Sequence, residues 1–155
     1  LEHNVELTFF NPATSAQFSG LSVRVGYYED KTSIASVELL ATLPGVELRT
    51  STRSRIPEER RHFLDGIEIF ILSAPSLEDF REAAAMGRCI IALATETTRI
   101  VDSFINHGEN GFVISGGIEN IATAISLLRN NPELRGRYGL EIRRKLFERE
   151  LGCAA

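Results

Sequence analysis

Residues 75–92, PSLEDFREAAAMGRCIIA, constrain the fold of this chain more than any other stretch. They follow the short apolar run 67–72, which has the length and character of a strand buried on both faces of a parallel sheet. Ser76 stands three residues before Asp79, the spacing of a helix cap. Gly87 then stops the helix, and residues 89–94 return as a second buried strand. Two parallel strands joined by one helix form a βαβ unit. A helix start at the carboxyl end of a strand gathers unpaired N–H groups and a positive dipole end, the place where α/β folds hold phosphates.

The rest of the chain repeats the pattern. Residues 21–26 alternate Leu21, Val23 and Val25 with polar neighbours, a strand. In 32–43, Ile34, Ala35, Val37, Leu39, Leu40 and Leu43 share a helical face that Pro44-Gly45 stops. Residues 46–49 make a second strand, and Pro57 opens a short helix carrying Phe63 and Leu64. Residues 97–107 read as a helix stopped by Gly108, 111–114 as a strand, and 118–129 and 132–149 as amphipathic helices. Alternating strands and helices predict an α/β fold: a doubly wound parallel sheet of about five strands with helices on both faces.

The chain's 155 residues suffice for one well-buried core. A net charge of −4 gives no basis for nucleic acid or an anionic membrane as partner. No apolar run approaches the roughly 20 residues of a transmembrane helix, and no basic-then-apolar stretch reads as a secretory leader. Cys89 and Cys153 have no CxxC partner, and His3, His62 and His107 lack ligand spacing, so no metal site is expected. A reducing cytoplasm is the expected location. A GxSxG elbow and a GxGxxG fingerprint are both missing. The chain starts Leu1-Glu2-His3 and its single methionine is Met86, which reads as a piece of a longer protein.

Several segments, in this order and spacing, resemble the C-terminal, donor-binding domain of GT-B glycosyltransferases of the retaining family 4 (group 1) type. Residues 3–12 resemble the crossover between the two domains of those enzymes. Residues 21–31 resemble their first strand and the loop ending in Lys, 66–76 the strand leading to Pro-Ser, and 75–92 the "PS…E…EAMA.G.PV" region. Residues 106–114 resemble "dg.nGflv", and 118–147 the closing helices. The resemblance implies a Rossmann-like donor domain over 21–150, preceded by a crossover segment, 1–20, and followed by a tail, 151–155.

It also implies a function. A sugar would pass from a nucleotide-sugar donor to an unknown acceptor with retained configuration. The donor is a substrate, and no cofactor or metal is required. The acceptor site would lie in an N-terminal domain of the parent protein, so the chain alone is expected to be inactive. Lys31, Ser76, Leu77 and Glu78 would face the diphosphate. Glu82 matches the second Glu of the family's Glu-x7-Glu pair, the one that meets the nucleotide ribose.

The sequence departs from that pattern at working positions. Ala74 stands where the first Glu belongs, Tyr27 replaces a phosphate-binding Arg, and Glu96, Thr97 and Arg99 replace a Gly-Gly…Glu element. Between Arg49 and Pro57 there is no room for a helix and strand that the family carries. Each site residue therefore has a plain reading beside the functional one. Ser76 and Asp79 read as a cap, Glu82 as a carboxylate near a helix start, and Lys31 as an exposed lysine. The cluster Arg49, Arg53, Arg55, Arg60 and Arg61 reads either as a solvated face or as a replacement for the lost Arg. Two alternatives stay open: a non-catalytic GT-B-like binding or scaffold module, and a flavodoxin-like receiver. The receiver is the weaker, because Ser73 stands where it needs an Asp.

Overall fold

The computed structural model describes residues 22–29, 37–73, 76–94, 103–115 and 117–152. They form β1 (Val23–Tyr28), a 3-10 segment (Val37–Thr42), β2 (Val46–Ser51), α1 (Pro57–Asp65), β3 (Ile69–Leu72) and α2 (Leu77–Ala85). These are followed by β4 (Cys89–Leu93), β5 (Phe112–Ile114), α3 (Ile118–Arg129) and α4 (Pro132–Gly152). All five strands are parallel, in the order β2-β1-β3-β4-β5. The expected five-stranded doubly wound sheet is the observed one. Expectations for the 1–20 crossover, for Lys31 and for the 151–155 tail concern residues or side chains outside those described.

Strand alternation sends side chains to two cores. Val23, Val25, Ile69, Ile71, Cys89 and Ile91 face α3, the 3-10 segment and the first turns of α4. Phe70, Leu72, Ile90 and Ala92 face α1, α2 and the later turns of α4. Burial on both faces is why these strands read as continuous apolar runs. Gly26 in β1 permits close packing, since a Cβ there would stand 2.8 Å from Ile67 Cδ1 and 3.0 Å from Phe63 Cζ.

Helix α2 ends as its sequence requires. Gly87 adopts φ 75°, Arg88 N donates to Ala83 O and Gly87 N to Ala84 O, each at 3.0 Å. That is a Schellman cap. At the far end of the sheet, Glu68 and Arg135 form a buried ion pair at 3.2 Å. Among the described residues no helix is long and apolar enough to cross a membrane.

Three local expectations need correction. First, β1 runs on to Tyr28 instead of ending at Gly26. Second, the described end of the 32–43 helix is a 3-10 segment. Pro44 has no N–H to reach back to the Leu40 carbonyl, and Leu43 N takes that carbonyl at 3.1 Å instead. Third, residues 103–107 are not helical. The buried Asn110 side chain takes their backbone: its Oδ1 accepts from Asn106 N at 2.8 Å, and its Nδ2 donates to Phe104 O at 3.0 Å. An amide side chain competing for backbone groups is a known antagonist of helix.

Candidate functional site

The strand order reverses direction between β1 and β3, with β2 on one side and β4 and β5 on the other. Ligands of open α/β sheets bind outside the carboxyl ends of the strands at such a point. Tyr28 and Glu29 close β1 there, β3 runs out through Ser73, and α2 begins at Leu77.

The start of α2 is built as expected. Ser76 is extended (φ −123°, ψ 110°), and its Oγ accepts from Asp79 N at 3.1 Å. The N–H groups of Leu77 and Glu78 bond to no group among the described residues. They sit at the positive end of the helix dipole.

The acids of this helix are already engaged. Arg53, in the loop between β2 and α1, donates from Nε to Asp79 Oδ1 and from Nη2 to Glu78 Oε1, both at 2.5 Å. Arg60, on α1, donates from Nε to both oxygens of Glu82 (2.9 and 3.1 Å), from Nη2 to Glu82 Oε2 (2.7 Å) and from Nη1 to Ser54 O (2.9 Å). Thr52 Oγ1 donates to Glu29 Oε1 at 3.3 Å. The loop from Thr52 to Ile56 is thus tied both to the end of β1 and to the first turns of α2.

Burial sets how firmly these pairs hold. Asp79 is 3% exposed and Arg60 7%. Hydrogen bonds to charged groups at such sites contribute roughly 1.5–3 kcal/mol each. Glu78 is largely exposed, and the Glu82 side chain retains 24% of its surface. The hydrogen bond to Asp79 raises the pKa of Arg53, and the one to Glu82 raises that of Arg60. Burial pushes the Tyr28 phenol upward, and the charges of Asp79 and Glu82 add to the effect. Tyr28 therefore stands neutral within the field of these acids. Among the described residues, Arg53 and Arg60 face Glu78, Asp79 and Glu82, with Glu29 on Thr52 nearby, a balance that does not by itself attract a diphosphate.

Ser76, Leu77, Glu78 and Glu82 fall together at this end of the sheet. Lys31 and Ala74 lie outside the described residues. Tyr27 is buried in the core cluster with Val25 and Ile71, so the position resembling the family's Arg carries a core side chain. Of the arginine cluster, Arg53 and Arg60 reach the site. Arg49 turns away to Glu47 and to Gly66 O, and Arg61 lies on the exposed side of α1. Asp79 was expected only as a capping partner; its buried pairing with Arg53 had no local signal across 26 residues. Among the described residues no group of three or more His, Cys, Asp or Glu is placed to share a metal ion.

No family model and no curated protein matches this sequence. Solved structures do match its fold. The crystal structure of TarM superposes with a TM-score of 0.63 at 16% identity, over 82% of this chain and 32% of TarM. Anabaena Alr3699/HepE, solved in complex with UDP, gives 0.63 at 12%, over 95% of this chain and 49% of HepE. The C-terminal domain of a glycosyl transferase group 1 family protein (LpcC) from Francisella tularensis gives 0.59 at 12%, over 89% of this chain and 90% of that domain. This chain has the fold of a GT-B C-terminal domain. The chain spans about a third of TarM and half of HepE, and nearly all of the isolated LpcC domain.

Proposed function

We propose that this chain is the donor-binding half of a retaining GT-B glycosyltransferase of the family 4 (group 1) type, cytoplasmic, whose acceptor site lies in an N-terminal domain of a longer protein. One observation carries the reading: the open N–H groups of Leu77 and Glu78 stand one helical turn from the partly exposed Glu82, at the topological switch point. The nucleotide diphosphate would sit on those N–H groups, with Ser76 holding the turn and Lys31 beside it. Glu82 would accept from the ribose. Arg53 would exchange its bond to the exposed Glu78 for the diphosphate, supplying the charge that Tyr27 lacks. Stabilising the departing diphosphate would then be the main contribution of this half to sugar transfer.

The test is ligand-observed NMR of the chain with UDP, GDP, ADP and their sugar conjugates, repeated on Glu82→Ala. A half-site is expected to bind at millimolar level, about −4 kcal/mol, and Glu82→Ala to weaken it. One observation favours a second reading, a non-catalytic binding module: Glu78, Asp79 and Glu82 are already paired to arginines, and the charge balance of these described groups is negative. Absence of binding to all three nucleotides by the folded chain would decide for that module.

A further inference from the structure

We propose that Arg60 is a positioning residue that fixes the Glu82 carboxylate to receive a vicinal diol, and so sets the preference of the site for ribonucleotides over deoxyribonucleotides. The inference rests on the donor reading above and adds a residue and a specificity to it.

Arg60 is nearly enclosed, and all three of its nitrogens are committed. Nε and Nη2 make a fork on Glu82, while Nη1 is held by the Ser54 carbonyl. The guanidinium is therefore anchored from two sides, by Glu82 on α2 and by Ser54 in the loop preceding α1. An anchored fork does two things to a carboxylate. It engages both oxygens as acceptors, and it selects one rotamer from the many a glutamate samples. The oxygens keep lone pairs on the side away from the fork, because a carboxylate has about four acceptor positions. Glu82 retains 24% of its side-chain surface, so solvent or a ligand can meet it there. Two adjacent acceptor oxygens, fixed in direction, match two adjacent hydroxyl donors. The cis-diol of a ribose presents that pair; a 2′-deoxyribose presents half of it.

Glu82 would not hold this position unaided. Asp79 and Glu78 stand within one helical turn, and like charges at that spacing repel. Arg53 pairs with both of those and offsets one of their two charges, and among the described residues Arg60 is the cation bonded to Glu82. The two arginines divide the three acids, leaving one carboxylate both exposed and immobilised.

The experiment titrates the full chain with UDP, GDP and ADP and with their 2′-deoxy counterparts, for wild type, Arg60→Met and Arg60→Lys. Wild type is expected to bind the ribonucleotide about tenfold more tightly than its deoxy form, the effect of one hydrogen bond to a charged acceptor. Arg60→Met should bring ribonucleotide affinity down to the deoxy level and leave deoxy affinity within about twofold. Arg60→Lys keeps the charge and loses the fork, so an intermediate ratio is expected; it also serves if the Met variant fails to fold. A structural role for Arg60 would weaken both forms alike and preserve their ratio, and that result overturns the inference while leaving the donor reading intact. Equal binding of both forms by wild type likewise removes it alone. Absence of binding by folded wild type removes the donor reading and the inference together.

Discussion

Removing Arg135 tests the buried electrostatics of this fold most directly. Arg135 is 0% exposed, and the Glu68 side chain 7%. Arg135 Nη2 donates to Glu68 Oε2 at 3.2 Å, and Nη1 to Leu128 O at 2.8 Å. Glu68 Oε1 accepts from Arg24 N at 2.8 Å. The pair therefore joins α4 to β1 and to the start of β3. At that separation and an effective dielectric of about 20, the attraction is about 5 kcal/mol, set against a desolvation cost of similar size. The intact pair contributes little net stability; without Glu68 the enclosed Arg135 is a buried charge, and without Arg135 Glu68 keeps only the more distant, partly exposed Arg24 at 3.8 Å. Arg135→Met should cost about 3–5 kcal/mol, or roughly 8–15 °C in midpoint for a chain of this length. Glu68→Gln should cost about as much, because it leaves the guanidinium without a counter-charge. The double variant relieves the orphan created by each single change, so its cost should fall short of the sum by about 2 kcal/mol or more. Urea unfolding followed by circular dichroism measures all four proteins. Additivity within about 0.5 kcal/mol would refute the reasoning and show that each group is independently solvated.

Ser76→Ala should destabilise the chain by about 1 kcal/mol through loss of the α2 cap, read as a lower urea midpoint with unchanged slope. Gly26→Ala should cost about 1–3 kcal/mol by overpacking against Ile67 and Phe63; an unchanged midpoint would mean that those side chains yield freely. Burial pushes the Cys89 thiol up to about 12 from its ordinary 9.0. The folded state thus holds this proton longer than the unfolded state does. Its contribution is complete below pH 9 and is lost as pH rises toward 12, at up to about 1.4 kcal/mol per unit. Cys89→Ala should flatten that alkaline decline, and parallel pH–stability curves for the two proteins would contradict it.

The parts legible in the sequence are those whose cause is local. The apolar run before Ser76, the cap and Gly87 each obey a rule that acts over a few residues, and β3, α2 and β4 appear where those rules place them. Residues 103–111 were illegible for the opposite reason. Apolar spacing over Phe104 and Ile105 suited a helix, but one buried Asn110 side chain collects the backbone groups a helix would need. At the site, the sequence marked Ser76, Leu77, Glu78 and Glu82 on one helix start. It also offered five arginines near the end of β2, with nothing to say which of them mattered.

By itself the sequence determined the parallel α/β sheet and the helix start that faces its switch point. Period, caps and stop signals act within one element, where chain entropy costs little. Only the tertiary structure decided that Arg53 meets Asp79 across 26 residues and Arg60 meets Glu82 across 22, while Arg49 turns back to Gly66. It also decided that Tyr27 lies in the core. Those outcomes depend on which way a strand's side chains alternate and where separate elements pack, and no rule acting within one element carries that information.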